Sequence, residues 1–150
     1  MKFRDAIADD LYDVVGLLAD DMLGAAREQH EQPLPAAYSD AFEDLTKQSG
    51  NRLIVAVDED GAIKGCLQLT ITAGIARQGA RRATIEGVRV ASDLRGTGLG
   101  TELFEFAIAE ARKAHCALIQ LTTARTRPDA HRFYEGLGFE ASHIGMKLHL

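Results

Sequence analysis

Three glycines at alternate positions, Gly96, Gly98 and Gly100, form the segment of this sequence best suited to chemistry. They follow an apolar, β-branched run that ends at Val90 and precede a run with helical spacing. Glycines let a chain turn tightly and bring backbone N–H groups against a ligand. A helix start leaves such N–H groups unpaired, and its dipole favours negative charge, so the segment suits a phosphate. Arg95 adds a positive charge just before the first glycine.

The spacing of these glycines excludes two common nucleotide-binding motifs. The dinucleotide fingerprint needs GxGxxG after a first strand and an acidic residue about 20 positions later. Here the spacing is GxGxG after at least three predicted strands, and Gln120 stands near the acidic position. The P-loop needs GxxxxGK followed by Ser or Thr. The sequence contains neither Gly-Lys-Ser nor Gly-Lys-Thr, so both motifs are absent.

The elements around this segment predict an α/β chain with a mixed sheet. Strands are indicated by alternating or β-branched apolar runs, and helices by helical spacing, a first-turn proline and a final glycine. The predicted strands are 2–7, 53–57, 63–72, 84–90, 118–123, 139–141 and 144–150. The predicted helices are one capped by Asp9 that reaches Met22, then 39–47, 97–113 and 128–137. We find no linker or internal repeat, so residues 1–150 are expected to form a single domain.

Bulk composition is that of a soluble globular protein, with 46% hydrophobic and 26% charged residues. The start lacks the apolar run of a signal peptide, and no stretch approaches the roughly 18 apolar residues of a membrane helix. We therefore expect a cytoplasmic protein without a membrane partner. Cys66 and Cys116 show no CxxC spacing and are expected to be free thiols. The five histidines form no HxxxH or HExxH pair, so no metal site is predicted.

Charge is distributed unevenly within the net value of −5. Residues 1–60 hold 14 acids and 5 bases, a balance of −9, whereas residues 61–150 hold 8 acids and 12 bases, a balance of +4. Such halves suit a protein that binds a polyanion with one part and a cation with the other, although ordinary solvated faces would look the same. No basic stripe with interleaved aromatics occurs, so no nucleic-acid partner is expected.

Two motifs in order resemble the GNAT superfamily of N-acetyltransferases. Val90 followed by Arg95–Gly100, with Leu103 beyond, is similar to the family's acyl-CoA signature, Arg/Gln-x-x-Gly-x-Gly/Ala. The later segment 127–139 resembles a second motif, an Ala four residues before a Tyr and then Gly-Phe. The motifs cover about residues 50–150, and the rest agrees only in element order. The resemblance implies a three-layer α/β domain with a mixed central sheet flanked by helices, with acetyl-CoA as cosubstrate and no metal.

The resemblance also implies which residues bind acetyl-CoA. Main-chain N–H groups of the glycine segment would hold the pyrophosphate, and backbone groups of Val88 and Val90 would pair with the pantetheine arm. Many members carry Asn where this chain has Arg127, which leaves that contact open and lets the arginine reach a CoA phosphate instead. The implied cofactor-binding residues are Val88, Val90, Arg95, Gly96, Thr97, Gly98, Leu99, Gly100, Thr101 and Arg127.

The catalytic residues implied by the resemblance are Tyr134 and Glu86. Tyr134 would protonate the leaving thiolate as general acid, since a phenol with a pKa near 10 is neutral at pH 7. Glu86 lies two residues before Val88, and strand alternation predicts that both point to the same face. The carboxylate would accept the proton of the amine through water. A water chain alone, or a Glu86 that only faces solvent, are the alternatives.

The first stretch of the chain predicts the acceptor. In the superfamily the first two helices shape the acceptor pocket, and here they are rich in acids, so we expect a small cationic molecule with a primary amine. Arg77, Arg81 and Arg82 argue the other way, for an acceptor that also carries an acid. The alternatives are a protein amine, a hydroxyl, a longer acyl group, or an acyl-CoA-binding or sensor domain without turnover. The apolar end of the chain also permits a homodimer.

Overall fold

The computed structural model describes residues 1–21 and 24–150. Met22, placed by its spacing in the first helix, lies outside the described residues. The strands are β1 (Lys2–Asp5), β2 (Asn51–Val57), β3 (Ile63–Thr72), β4 (Arg81–Val90) and β5 (Cys116–Leu121). The helices are α1 (Leu11–Ala19), α2 (Ala36–Lys47), the single turn α3 (Ala76–Gly79), α4 (Leu99–Lys113) and α5 (Pro128–Gly136).

The five strands form one mixed sheet in the order β1-β2-β3-β4-β5. The first four strands are antiparallel to their neighbours, and β5 runs parallel to β4. A parallel pair needs a crossover, which α4 supplies between β4 and β5. The mixed sheet predicted from element order is confirmed.

Helices cover both faces of this sheet. Alternate residues of β2 therefore pack into two different hydrophobic cores, one on each face. Ile54 and Ala56 pack with α4, whereas Val55 and Val57 pack with α1. The apolar face predicted for α4 is buried at Leu99, Leu103, Ala107 and Ala111, but its Phe106 is only partly buried, and the fully buried aromatic residue is the adjacent Phe104. The layers are therefore helix, sheet and helix, as the resemblance implied.

The first helix begins differently from the prediction. Asp9 does not cap it; the carboxylate of Asp10 accepts the Ile7 N–H at 2.8 Å and binds Arg4 at 2.5 and 2.9 Å. The hydrogen bonds from Arg4 hold the pKa of Asp10 below its ordinary value. Because Arg4 of β1 pairs with Asp10, this aspartate is buried while the adjacent Asp9 stays exposed. Other helix and strand boundaries differ by at most three residues, and α2 begins at Ala36 rather than residue 39.

The two closing strands predicted for 139–141 and 144–150 are wrong. No helix or strand follows α5 in the described chain. A strand needs a neighbouring backbone as well as an alternating pattern, and no strand of the sheet pairs with this segment.

Both cysteines are free, as predicted. Cys66 is buried in the core beside α1, and burial raises the pKa of its thiol to about 12. At neutral pH this thiol is protonated and serves packing rather than chemistry.

Candidate active site

A gap opens where β4 outlasts its neighbour β5. Their pairing ends at Ile85 and Leu121, but β4 continues to Val90, still paired with Gly65 of β3 on its other side. The last residues of β4 therefore expose one backbone edge. Ligands of α/β sheets bind in crevices beyond the carboxyl ends of parallel strands, and this gap lies at such a place.

A β-bulge interrupts β4 at the start of this open edge. Cys66 lies opposite Arg89 and Gln68 lies opposite Glu86, so two steps on β3 match three on β4. Gly87 lies within the bulge, and its φ of 60° is one that favours glycine. A bulge beside a site redirects the side chains that follow it.

The bulge overturns one sequence prediction, that Glu86 and Val88 share a face. Val88 and Val90 pack against the core beneath α4. Glu86 and Arg89 instead share the α1 face, since each lies directly opposite a residue of that face of β3. Glu86 is exposed. Simple alternation fails here because one additional residue reverses it.

The glycine segment forms an open backbone loop before α4. Gly96 and Gly98 have φ of 80° and 99°, and no atom of the described chain lies within 4 Å of where a Cβ would stand on either. The backbone is thus open to a ligand, and Gly98 directly precedes the first turn of α4 with its unpaired N–H groups. This loop fits a pyrophosphate by its shape and its donors.

The neighbours of these glycines contribute mainly to the shape of the loop. The Thr97 hydroxyl and N–H both donate to the Leu94 carbonyl, at 2.8 and 3.3 Å. The Leu99 side chain is buried, which leaves its main chain for a ligand. A Cβ on Gly100 would lie 3.4 Å from the Phe133 ring, an ordinary van der Waals contact, so α4 and α5 are closely packed here. Thr101 is half-buried in the first turn of α4.

Arg95 ties this loop to the end of α1. Its Nε donates to the Val90 carbonyl at 3.1 Å. Its Nη2 donates at 2.7 Å to both the carbonyl and the carboxylate of Asp20. Both side chains of this ion pair are about half exposed, at 48% and 47%. Arg95, which was predicted to bind a CoA phosphate, is therefore paired with the carboxylate of Asp20.

A second arginine, which the sequence analysis did not single out, makes a parallel connection. Arg89 donates to the Val88 carbonyl at 2.8 Å and pairs with Asp21 at 3.0 Å. The signal for it was an arginine between two valines of an apolar strand. Asp20 and Asp21, which follow α1, thus each form an ion pair with one of the two arginines. Each arginine also donates a hydrogen bond to a carbonyl near the end of β4.

Tyr134 projects from α5 into the aromatic cluster beneath the open edge. Its ring lies 5.5 Å from the rings of both Phe104 and Phe133. Burial raises the pKa of Tyr134, and the positive charges of Arg127 and Arg89 oppose that rise. The phenol is therefore neutral at physiological pH and able to donate a proton.

The start of α5 is fixed by its loop. Pro128 occupies the first turn, as predicted, and Arg127 is the N-cap residue. His131 bonds through Nε2 to the Ala124 carbonyl at 2.9 Å, which ties α5 to the segment after β5. Arg127 is exposed and close enough for its charge to act on Tyr134.

The charged residues considered for the acceptor lie in different places. Glu28 accepts a hydrogen bond from Tyr38 at 3.0 Å, and Glu43 pairs with Lys47 at 2.7 Å. Arg81 donates to the Ala114 carbonyl, at the end of β4 opposite the open edge. The structure thus brings together the glycine loop, the valines of β4, Tyr134 and Arg127. Arg81 and Arg82 are the first two residues of β4, at the far end of that strand, and Arg77 lies in α3.

Among residues 1–21 and 24–150, no group of three or more His, Cys, Asp or Glu side chains is placed to hold a metal ion. Among the same residues, no helix has the length and apolar character needed to cross a membrane.

Comparison with known proteins gives matches of three kinds. Residues 19–139 match the model of the acetyltransferase (GNAT) family. An aminoalkylphosphonate N-acetyltransferase from Salmonella typhimurium is 41% identical over 60 residues, which are 40% of this chain and 39% of that protein. A transcriptional regulator from Bacillus halodurans C-125 has 50% identity and a TM-score of 0.95 over 99% of both chains. A Trypanosoma brucei acetyltransferase has 27% identity and a TM-score of 0.80 over 99% of both chains.

Proposed function

Since this chain belongs to the GNAT acetyltransferase family, we propose that it transfers the acetyl group of acetyl-CoA to a primary amine of a small molecule. Transfer is direct, with both substrates bound at once. The observation that carries the proposal is the proximity of three features: the open edge of β4, the open glycine loop before α4, and the half-buried neutral phenol of Tyr134. The protein acts in the cytoplasm.

The donor substrate is held mainly by backbone. Open N–H groups around Gly96, Gly98 and Gly100 bind the pyrophosphate, while Arg95 and Arg127 supply positive charge. The exposed edge at Val88 and Val90 pairs with the pantetheine arm. Acetyl-CoA supplies the acetyl group as a reactive thioester, and the protein's task is to align it with the amine.

Proton transfer is assigned to Tyr134 and Glu86. The neutral amine nitrogen forms a bond to the acetyl carbon as the carbon–sulfur bond breaks. Tyr134 donates its phenolic proton to the departing sulfur, and Glu86 takes up the proton that the amine loses. Glu86 lies on the face opposite Val88, so it acts through an intervening water.

Asp20 competes with the phosphates of CoA for Arg95, and its removal tests that role. Replacing Asp20 by asparagine is expected to lower the Kd for CoA by up to about fivefold, because exposed ion pairs of this kind contribute about 0.2–1 kcal/mol. Isothermal titration calorimetry with CoA measures the change.

The matched control for this substitution is Asp9→Asn, which removes the same charge at an exposed aspartate outside the site. It should leave the Kd unchanged. Asp20→Asn should also have no effect when Arg95 is already glutamine. An equal gain in Asp9→Asn, or a gain that persists without Arg95, would mean that only overall charge matters.

The acceptor we propose is a small amine, with a cationic molecule as the first choice. The acids of the first stretch support this choice, although Asp20 and Asp21 already pair with arginines. The relative named for aminoalkylphosphonates favours a second class, amines that carry an anion. The two classes of acceptor differ in the sign of the charge that the molecule carries beside its amine.

One experiment tests donor and acceptor together. Acetyl-CoA well above its Kd should raise the Tm by several degrees, since saturation at about 100 times Kd adds about 2.7 kcal/mol. NADH should not raise it. Release of CoA is then measured with diamines, simple amines and aminoalkylphosphonates. Equal rates with all three would contradict charge selection, and no Tm shift with any CoA species would contradict the proposal itself.

A second candidate is an acyl-CoA sensor without turnover. It is favoured by one observation, that a structure with 50% identity is named a transcriptional regulator. The experiment above distinguishes the two, because a sensor would show the Tm shift without release of CoA from any acceptor. Release only with lysine-containing peptides would indicate acetylation of a protein amine.

A further inference from the structure

One face of the sheet changes from apolar to polar beside the candidate active site. Under α1 and α2 this face is apolar, as at Leu53 and Cys66. Beyond Cys66, alternate residues of β3 and β4 carry amide, hydroxyl and charged side chains, and β5 adds one more amide. We call this set the polar face, and its members are Gln68, Thr70, Arg82, Thr84, Glu86 and Gln120.

The register of the strands is regular here, so these side chains share one side of the sheet. Five consecutive residue pairs join residues 68–72 of β3 to β4 without a bulge. On β4, Ala83 and Ile85 are buried in the core beneath α4, so the residues that alternate with them lie on the opposite face. Gln120 of β5 donates a hydrogen bond to the Thr84 hydroxyl at 3.3 Å, which extends the polar face by one strand.

The two charged members of the polar face have opposite signs. Glu86 and Arg82 are both exposed, and in the part of the chain that the structure describes neither forms an ion pair. Four residues along a strand separate their Cα atoms by about 13 Å. The Arg82 guanidinium lies beside Gly74 in the loop after β3, whereas Glu86 lies near the end of α1, where Leu18 approaches Gly87.

The acids of the first stretch are less available to a ligand than this pair of charges. Four of them, Asp20, Asp21, Glu28 and Glu43, already bind a side chain of the protein. A cationic acceptor would have to displace those partners. An acceptor with an amine at one end and an acid at the other can instead reach Glu86 and Arg82 directly.

We propose that the polar face binds the acceptor, and that Arg82 selects an acceptor whose acidic group lies about 10–13 Å from its amine. This inference rests on the proposed function and favours the second of its two classes of acceptor. The amine lies at Glu86, which takes up its proton through water, and the acid pairs with Arg82. The Thr84 hydroxyl and the Gln120 amide hydrogen-bond the atoms between the two ends.

Glycine peptides test the spacing, because each residue lengthens an extended chain by about 3.3–3.6 Å. Peptides of two to five residues, each with a free carboxylate or a C-terminal amide, are given to the full-length protein with saturating acetyl-CoA. The release of CoA measures kcat/KM. Peptides of three or four residues span about 10–14 Å, and their carboxylates should exceed their amides by about fivefold, the size of one exposed ion pair. In Arg82→Gln this difference should disappear.

The matched control is Arg81→Gln, which removes the same charge from the adjacent residue. Arg81 lies opposite Cys116 and donates to the Ala114 carbonyl, away from the polar face. Arg81→Gln should therefore keep the preference for the carboxylates. Equal rates for acids and amides in the wild type, or a preference that survives in Arg82→Gln, would overturn the inference. A preference that does not depend on length would overturn the spacing, because it would show only a general attraction of anions.

Binding is measured separately from turnover, by ligand-observed NMR on the protein saturated with CoA. Selective binding of the three- and four-residue carboxylates without release of CoA from acetyl-CoA would support the inference and contradict the proposed function. Release of CoA with simple amines, without selective binding, would support the proposed function and overturn the inference. Neither binding nor release would contradict both.

Discussion

Replacing Tyr134 by phenylalanine is expected to lower kcat for acetyl transfer by about 10²–10⁴-fold, the usual contribution of a positioned general acid. The substitution removes the hydroxyl and keeps the ring that packs against Phe104 and Phe133. Binding of CoA should therefore stay within about twofold of wild type, as measured by calorimetry, while single-turnover kinetics show the slow chemical step.

The pH dependence gives a second signature of this role. Burial raises the pKa of Tyr134 above its ordinary value of about 10. The proton-donating form is thus complete at neutral pH, and the alkaline limb of the wild-type rate should fall as pH rises through that raised pKa. The alkaline decline assigned to Tyr134 should be absent from the residual activity of Tyr134→Phe.

The control for Tyr134→Phe is the same change at Tyr12 of α1, whose ring lies 4.2 Å from that of His30. Tyr12→Phe should keep kcat within about twofold, because its hydroxyl has no part in the proposed chemistry. If Tyr134→Phe retains full turnover, another group or water protonates the sulfur. If it loses CoA binding instead, the hydroxyl positions the donor substrate rather than donating a proton.

Local patterns were sufficient for most of the fold. The helical spacing of α4 and the proline at the start of α5 are readable along a few consecutive residues, and the mixed sheet follows from the order of the elements. The glycine segment was recognised for the same reason, since its function depends on backbone that is contiguous in sequence. The assignment of individual residues to acetyl-CoA and to proton transfer stays a prediction, as does the extent of the single domain.

The bulge shows where local patterns are insufficient. Alternation assumes one residue on β4 for each on β3, and a single extra residue moved Glu86 to the face opposite Val88. The sequence did carry a signal, because an isolated glycine within a strand often marks a bulge, and Gly87 is such a glycine. The ion pairs of Arg89 and Arg95 had no comparable signal, since Asp20 lies 75 residues from Arg95 along the chain.

The strand prediction for residues 144–150 was wrong for a different reason. The alternation of this segment was correctly recognised as strand-like, but a strand is defined by its partner, and the described chain provides none for it. A pattern within one sequence predicts which structure a segment can adopt, whereas the neighbour that completes a strand depends on the rest of the fold. Both incorrect closing strands, 139–141 and 144–150, have this origin.

Replacing Phe104 by alanine should have the largest effect on stability. Its ring is fully buried on α4 and lies within 6 Å of the rings of Phe133, Tyr134 and Phe139. Truncating a buried phenylalanine costs about 3–5 kcal/mol, a large part of the 5–15 kcal/mol by which a domain is typically stable. The free energy of unfolding from urea titration is expected to fall by that amount with an unchanged m value.

Phe106→Ala is the comparison that separates an effect of Phe104→Ala on the active site from its effect on stability. Phe106 belongs to the same helix but is only partly buried, against Phe3 at 5.4 Å, so its loss should destabilise the fold less. Under conditions where both variants are fully folded, only Phe104→Ala should lower kcat, because Phe104 contacts the ring of Tyr134 whereas Phe106 packs against Phe3. An equal loss of kcat in both would mean that α4 affects the site through general loosening, and that the aromatic cluster does not position the phenol.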